Sequence, residues 1–126
     1  MNNSTNALNW FEIPASNINR SKEFYENIFF IKMEINEMDN ATMAFFPWES
    51  GSGKATGALV QSEMHKPSKE GTLVYLNANP NLDPVLKKVE KAGGKVLVPK
   101  MDIGEHGFIA FIEDTEGNKV GIHSQE

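Results

Sequence analysis

The sequence predicts an α+β fold made of two tandem βαβββ repeats, in which helices lie outside curved mixed sheets and the opposite side forms a concave pocket. The prediction depends on strand-like alternation of apolar residues, on one segment of helical spacing in each half, and on the recurrence of this order along the chain. Repeat one is placed at about residues 7–62, a linker at about 63–70 and repeat two at about 71–124, within a single domain over 1–126.

The first half opens with a segment, residues 7–14, that alternates as a strand does. Phe11 and Ile13 share one face, and Trp10 and Glu12 share the other. Ser16 and Asn17 then provide a helix N-cap, and apolar residues follow at helical spacing. The remaining strands of this half are predicted at about 32–38, 42–46 and 57–62.

The second half repeats this order. Residues 71–78 are rich in aliphatic and aromatic side chains, which favours a strand. A helix is expected from Leu82 to Val89, with Gly93 and Gly94 at its C-terminal end, where glycine is favoured. Three further strands are predicted at about 95–99, 108–113 and 119–124.

Composition excludes several classes of function. The chain has 126 residues and a net charge of −5, so it lacks the basic surface that nucleic-acid binding needs. It has no cysteine, which excludes thiol nucleophiles and disulfides and fits a reducing compartment. No apolar run approaches the ~20 residues that cross a bilayer, and residues 1–6 do not resemble a signal peptide. We therefore expect a cytoplasmic protein without nucleic-acid or membrane partners.

Three stretches carry a resemblance to a known family. Residues 10–25 resemble the first strand and helix of the glyoxalase/bleomycin-resistance/extradiol-dioxygenase (vicinal oxygen chelate) superfamily, in which a Phe-Tyr pair such as Phe24-Tyr25 recurs. Residues 89–96 and 108–124 are similar to the end of its second helix and to its closing hairpin. The resemblance implies the fold closely but the activity only loosely, because this scaffold supports lyases, isomerases, dioxygenases and antibiotic-binding proteins.

The resemblance also implies where a metal would be bound. Metal-dependent members take His, Gln or Glu ligands from the first and last strands of each repeat, and these positions fall here on Trp10, Leu59, Leu73 (or Val74) and Gly121. None of these side chains can ligate a divalent ion. We therefore expect no metal and no other cofactor.

Strand periodicity suggests a different polar cluster. A step of two residues along each strand from the four positions leads to Glu12, Gln61, Tyr75 and His123, which would then point into the concave face. We expect Glu12 to act as a general base and His123 as an acid or orienting group within hydrogen-bond or one-water reach of it. The cluster is otherwise a displaced metal site or plain hydrogen-bonded lining, and each member is otherwise an ordinary solvated strand residue.

Further residues complete the expected site. Trp10, Gln61, Tyr75 and His106 are the candidate substrate-binding residues, with Trp10 as pocket wall and His106 reaching from the turn at 104–107. His106 is otherwise a solvated turn residue, and His65 is interpreted as an exposed linker residue. No serine lies on a strand-to-helix elbow, so the sequence gives no context for a Ser/His/Asp nucleophile.

Three functions follow from these observations. The first is a protein acting on a small oxygenated molecule in the concave pocket by acid–base chemistry, without the usual metal ligands. The second is a metal-free protein that binds or sequesters a small molecule, as antibiotic-binding relatives do. The third is a structural or regulatory module. We also expect a homodimer, because open sheets with aromatic-rich strands leave edges to be covered.

Overall fold

A computed structural model describes all residues, 1–126, and contains eight strands and two α-helices with a short 3₁₀ turn. The elements in chain order are β1 Trp10–Pro14, α1 Ile18–Phe29, β2 Glu34–Met38, β3 Ala41–Phe45, β4 Thr56–Ser62, β5 Tyr75–Asn77, α2 Asp83–Val89, β6 Lys95–Asp102, the 3₁₀ turn Gly104–His106, β7 Phe108–Glu113 and β8 Lys119–Ser124. The predicted order βαβββ is therefore confirmed in both halves.

Each repeat forms its own four-stranded mixed sheet. The strand order is β1-β4-β3-β2 in the first sheet and β5-β8-β7-β6 in the second. In both sheets the opening strand pairs parallel with the closing strand, β1 with β4 and β5 with β8, and the other pairs are antiparallel. The same topology in both halves explains why the repeat can be recognised in the sequence although few residues match.

Helix α1 begins and ends as local chemistry dictates. The side chain of Asn17, in extended backbone, accepts a hydrogen bond from the Arg20 amide at 3.1 Å and so satisfies one of the free amides of the first turn. The apolar side of the helix buries Phe24, Tyr25 and Ile28 against the sheets. The helix is closed by its C-cap residue Phe30, which adopts the left-handed conformation with φ of 58°.

One hydrophobic core joins the two repeats. It contains residues of both helices and of the helix-facing side of both sheets, for example Ile13 and Leu59 from the first sheet and Ile112 and Ile122 from the second. A second, smaller cluster of Met43, Ala58 and Val60 lies apart from this core. Because these three residues alternate along β3 and β4 with core residues, they mark the side of the first sheet that faces away from the helices. We call this side the open face.

The element bounds differ most from the sequence prediction at three strands, of which β1 begins at Trp10 and not at residue 7. The predicted strand at 71–78 is a strand only at Tyr75–Asn77, where three residue pairs join it to β8. Residues before it are held instead by single contacts, such as the Gly121 amide donating to the Val74 carbonyl at 2.8 Å. Strand β6 continues to Asp102, beyond the predicted end at 99, with register shifts against β7. No helix is long and apolar enough to span a membrane.

Candidate functional site on the open face of the first sheet

Strand β1 presents Trp10 and Glu12 on the open face. Ile13, between the two sheets and the helices, is almost fully buried, and the alternation of the strand turns Trp10 and Glu12 to the other side. The side chain of Trp10 is 41% exposed and contacts Phe45 edge to face, with ring centroids 5.9 Å apart. The open face therefore carries an accessible indole beside an accessible carboxylate.

The carboxylate of Glu12 is held by two N–H donors. Its Oε1 lies 2.7 Å from His65 Nε2, and its Oε2 accepts a hydrogen bond from the indole Nε1 of Trp10 at 3.2 Å. The hydrogen bond from His65 outweighs the opposing effect of partial burial, and with the bond from Trp10 it lowers the pKa of Glu12 below its usual value. Glu12 is thus an oriented carboxylate that is ionised at neutral pH, and its side chain is still 37% exposed.

His65 is positioned by the turn that follows β4. An isolated bridge pairs Ser62 with His65, and the His65 amide donates to the Ser62 carbonyl at 3.3 Å. The imidazole Nδ1 lies 2.6 Å from Ser62 Oγ, and the Met64 amide donates to the same oxygen at 3.1 Å. Ser62, His65, Glu12 and Trp10 therefore form one continuous hydrogen-bonded chain, which we call the Ser62–Trp10 chain.

A cleft of about 440 Å³ opens beside Trp10. Its aromatic walls are Trp10, Phe45, Phe46 and Trp48, and the indole of Trp48 is fixed by donating to the Lys54 carbonyl at 2.9 Å. The remaining lining residues are Lys32, Glu34, Pro47 and Thr56. Both tryptophans of the chain line this one cleft, which gives it the flat apolar surfaces that suit a small ring-containing ligand.

Glu12 itself lines a smaller cleft of about 160 Å³ between the two repeats. The second repeat contributes Val74, Lys119 and Val120 to this cleft, and the linker contributes Lys66 and Ser68. The carboxylate thus lines a cleft that also contains Lys66, Lys119 and Glu70, and it is hydrogen-bonded to Trp10, a wall of the larger cleft. A negatively charged or oxygen-rich group can bind there, because the lysine side chains offset its repulsion by the carboxylates.

The structure does not join Glu12 to His123, as the sequence analysis expected. His123 lies on β8 of the second sheet, where its Nε2 is 2.6 Å from the carbonyl oxygen of His106. Glu12 pairs instead with His65, because β1 runs alongside β4 and the turn after β4 reaches back over the open face. The expected hydrogen bond between Glu12 and His123 was therefore wrong.

Gln61 also lies on the side opposite to the one expected. Its Oε1 accepts a hydrogen bond from the Ile18 amide at 2.7 Å, so it supports the start of α1. The reason is the register: Ile13 pairs with Leu59, which is fully buried in the core, and Gln61 shares that side of β4. Thr56, Ala58, Val60 and Ser62 are the β4 residues on the open face, one position out of step with the expectation.

Tyr75 and His106 belong to the second sheet. Tyr75 is 45% exposed, and its ring covers Gly121 and lies 6.0 Å from that of Phe111. The side chain of His106 extends from the 3₁₀ turn with 78% exposure, and its nearest charged neighbour is Glu105 at 3.8 Å. Neither residue contacts the Ser62–Trp10 chain. Tyr75 shares the exposed side of its sheet with His123, whereas His106 is an exposed turn residue.

The residues at the family's metal positions do not fit a divalent ion. Leu59 faces the helices, on the side of the first sheet opposite to Trp10, and the β4 residues nearest to it on the side of Trp10, Ala58 and Val60, are apolar. Any side chain at Gly121 would overlap the ring of Tyr75. Trp10 offers only an indole N–H, which is a donor and cannot coordinate a cation. No group of three or more His, Asp or Glu side chains converges elsewhere in the structure. We therefore derive no chemical step through a metal.

Sequence reasoning missed His65 and Ser62. Ser62 continues the open-face alternation of Ala58 and Val60 at the end of β4, whereas His65 follows the strand and reaches Glu12 across 53 residues of sequence. The available signal was the spacing Ser62-x-x-His65 in a segment that also contains Pro67. A serine at such a position is typical of a turn in which its hydroxyl bonds to the backbone two residues later, as Ser62 does with the Met64 amide.

Comparison with known proteins identifies the scaffold. The model of the Glyoxalase/Bleomycin resistance protein/Dioxygenase superfamily matches residues 7–122. CFP32 of Mycobacterium tuberculosis (strain CDC 1551 / Oshkosh), provisionally named a glyoxylase, is 28% identical over 117 residues, which are 90% of this chain and 44% of that protein. A glyoxylase-like domain-containing protein of Didymella fabae is 29% identical over 121 residues, with 91% of both chains covered. The chain thus spans less than half the length of the mycobacterial relative.

Solved structures share the fold at low sequence identity. A mutant of glyoxalase I from Zea mays superposes with a TM-score of 0.72 at 21% identity, covering 94% of this chain and 46% of that one. A hypothetical protein from S. aureus superposes with a TM-score of 0.64 at 17% identity and covers 96% of this chain and 95% of its own. At such identity the likeness establishes the architecture and leaves the chemistry to be argued from the site.

Proposed function

Because the chain belongs to the glyoxalase/bleomycin resistance protein/dioxygenase superfamily, we propose that it acts on a small oxygenated molecule at the open face of its first sheet, with Glu12 as general base. The observation that carries the proposal is an ionised, oriented and accessible carboxylate that lines one cleft and is hydrogen-bonded to a wall of a second. A base needs its proton-accepting oxygen within reach of a substrate, and Glu12 meets this requirement.

His65 takes the role that the sequence analysis gave to His123. Its Nε2 lies at hydrogen-bond distance from Glu12, so it orients the carboxylate and stabilises its charge. This contact with His65 also holds the carboxylate in place while Glu12 accepts a proton from a substrate. Trp10 holds the second carboxylate oxygen and also forms the wall of the cleft, so it links ligand position to the orientation of the base.

We propose that this chemistry needs no divalent metal. The support is the set of side chains available around the family's metal positions: Trp10, the open-face residues Ala58 and Val60 of β4, and Gly121 offer no ligand, and a side chain at Gly121 has no room. Elemental analysis of the purified protein after exposure to Zn²⁺, Ni²⁺, Mn²⁺ and Fe²⁺ is expected to find far less than one metal per chain. About one tightly held ion per chain, lost on Glu12→Ala, would replace this proposal by a metal site that includes Glu12.

A second candidate function is binding or sequestration without turnover. The observation that favours it is the aromatic cleft of about 440 Å³, lined by Trp10, Phe45, Phe46 and Trp48. Flat apolar walls hold ring-containing compounds by stacking and by removal of apolar surface from water. In this function Glu12 orients a ligand through a hydrogen bond and does not abstract a proton.

Tryptophan fluorescence separates these functions. Both tryptophans line the cleft, so a panel of small keto, hydroxy and diol compounds can be screened by quenching and then assayed for turnover. The proposed activity predicts that a quenching compound is converted, and that Glu12→Gln lowers the rate about 100-fold or more while quenching persists. The matched control is Glu23→Gln, because Glu23 is exposed on α1.

Quenching without turnover by any bound compound favours the second function. A turnover rate that is unchanged in Glu12→Gln contradicts the role of Glu12. If no compound quenches either tryptophan at millimolar concentration, the open face is not the ligand site, and both functions proposed for it are wrong.

A further inference from the structure

The Ser62–Trp10 chain contains a hydroxyl, an imidazole and a carboxylate in sequence, and the proposed function gives no role to the hydroxyl of Ser62. Ser62 Oγ lies 2.6 Å from His65 Nδ1, and His65 Nε2 lies 2.7 Å from Glu12 Oε1. The serine comes from the end of β4, the histidine from the following turn and the glutamate from β1. This order of a hydroxyl, a base and an orienting carboxylate is the arrangement that activates a nucleophile.

The hydrogen-bond donors along the chain can be assigned. An ionised carboxylate can only accept hydrogen bonds, so His65 Nε2 is protonated and donates a hydrogen bond to Glu12. In neutral imidazole the other nitrogen, Nδ1, is then an acceptor and faces the hydroxyl of Ser62. The Met64 amide donates to the serine oxygen from another direction, which fixes the Oγ position and leaves the hydroxyl proton for Nδ1.

The serine end of the chain opens on a different surface from the Trp10 cleft. Ser62 and His65 line an open groove of about 670 Å³ whose other walls include Ser16, Gln61, Glu63 and Lys66. Trp10 does not line this groove, and only one of its nine lining residues is hydrophobic. A small polar substrate can therefore reach Ser62 while the open face stays free.

We propose that Ser62 is a nucleophile that accepts the acyl group of small polar esters, with His65 as its base and Glu12 as the orienting group. Ser62 Oγ attacks the ester carbonyl carbon as its proton passes to His65 Nδ1. The bond from that carbon to the alcohol oxygen then breaks, and the leaving oxygen takes the proton from His65. Water then attacks the acyl carbon as one of its protons passes to His65. The bond from that carbon to Ser62 Oγ breaks, Oγ takes the proton back from His65, and the carboxylic acid is released.

This activity goes beyond the function proposed for the open face and does not depend on it. Acyl transfer to Ser62 requires no ligand at Trp10, and proton abstraction by Glu12 requires no hydroxyl at Ser62. Ser62→Ala removes the nucleophile but leaves His65, Glu12 and Trp10 in place, so tryptophan quenching and turnover at the open face are expected to persist in it. Failure of one proposal is therefore distinguishable from failure of the other.

The first experiment uses a fluorophosphonate, which reacts covalently with activated serines. Intact-mass analysis is expected to find one adduct per chain, mapped to Ser62 and absent in Ser62→Ala. His65→Ala is expected to slow labelling about 100-fold or more, within the range that a positioned base contributes. Ser50→Ala, which changes an exposed serine in the loop after β3, is the matched control and keeps full labelling. Absence of an adduct, or an equal adduct in Ser62→Ala, overturns the proposal.

The second experiment uses the absence of cysteine from the chain. Ser62→Cys and Ser50→Cys each introduce one thiol, and alkylation by iodoacetamide at neutral pH compares them. If His65 acts as a base toward position 62, the thiol of Ser62→Cys reacts about tenfold faster than that of Ser50→Cys, because an adjacent imidazole favours the thiolate. Adding His65→Asn should remove the difference. If Ser62→Cys reacts no faster than the control, the hydroxyl only closes a turn and the proposal is wrong.

Discussion

Tyr25 shows how one buried hydroxyl joins the two repeats. The side chain is fully buried, and its hydroxyl donates to Asp114 Oδ2 at 2.7 Å across 89 residues of sequence. Burial and the neighbouring carboxylate raise the pKa of Tyr25 well above its ordinary value, so the phenol stays a donor. Burial also raises the pKa of Asp114, although Asn118 and Tyr25 donate to its carboxylate.

Tyr25→Phe is expected to destabilise the protein by about 1–3 kcal/mol, because it leaves the buried carboxyl of Asp114 with one donor fewer. Urea unfolding followed by circular dichroism measures the change. Tyr75→Phe is the matched control, since Tyr75 is half-exposed and its hydroxyl makes no hydrogen bond within the chain. If Tyr25→Phe unfolds at the same urea concentration as Tyr75→Phe, the buried hydrogen bond does not hold the repeats together.

At the scale of elements, the turn between β7 and β8 caps the helix of the other repeat. Glu116 accepts hydrogen bonds from the Ser16 amide at 2.9 Å and the Asn17 amide at 2.7 Å, and Arg20 Nε lies 2.7 Å from its Oε2. A carboxylate at this end of a helix is favoured by the helix dipole. Burial opposes the charge, but these donors outweigh it and lower the pKa of Glu116.

The lowered pKa of Glu116 predicts a dependence of stability on pH. A carboxylate whose pKa is lower in the folded state stabilises the fold above its unfolded value, and this contribution is lost as the pH falls. We expect Glu116→Gln to cost about 1–3 kcal/mol at neutral pH, and the difference from wild type to shrink below about pH 4.5. Urea unfolding across this range tests it, with the exposed Glu105→Gln as control. A difference independent of pH would contradict the charge assignment.

Elements that depend on local interactions were predicted correctly, whereas features that depend on residues distant in sequence were not. Helix α1 was predicted to begin after Asn17 because its cap is local, and the structure confirms this. Strand β5 is shorter than predicted because its length depends on pairing with β8, distant in sequence. The Glu116 cap of α1 and the Tyr25–Asp114 bond cross about ninety to one hundred residues, so no local pattern indicates them.

In the candidate site, too, the local pattern was predicted correctly and the partner distant in sequence was not. The alternation of the predicted first strand correctly placed Trp10 and Glu12 on one face, because β1 has a strict period of two. The partner of Glu12 was wrong, because a repeat recognised in sequence does not say whether the site is built within a repeat or across two. Here β1 and the turn after β4 supply Glu12 and His65 from the same repeat. The roles of Glu12, Trp10, Tyr75 and His123 in function stay predictions.

At the scale of the whole molecule, the outer strands of both sheets leave apolar side chains in solvent. Strand β2 closes one side of the first sheet and is exposed along its whole length, including Ile35 and Met38. Strand β6 closes one side of the second sheet and exposes Leu97 and Met101. Unpaired edges of this kind are usually covered by another chain or protected by charge.

We expect a homodimer that covers at least one of these edges. A standard interface removes about 800 Å² from each partner, about a tenth of the 8046 Å² accessible here, and the apolar edge residues lie where such a contact would form. Sedimentation at tens of micromolar should give twice the mass of 14.0 kDa.

Met38→Lys or Met101→Lys should shift the protein toward the monomer, since burying an unpaired charge in an interface is costly. Met64→Lys, in the linker, is the control and should stay dimeric. A wild-type monomer at these concentrations would show that the exposed edges are stable in solvent without a partner.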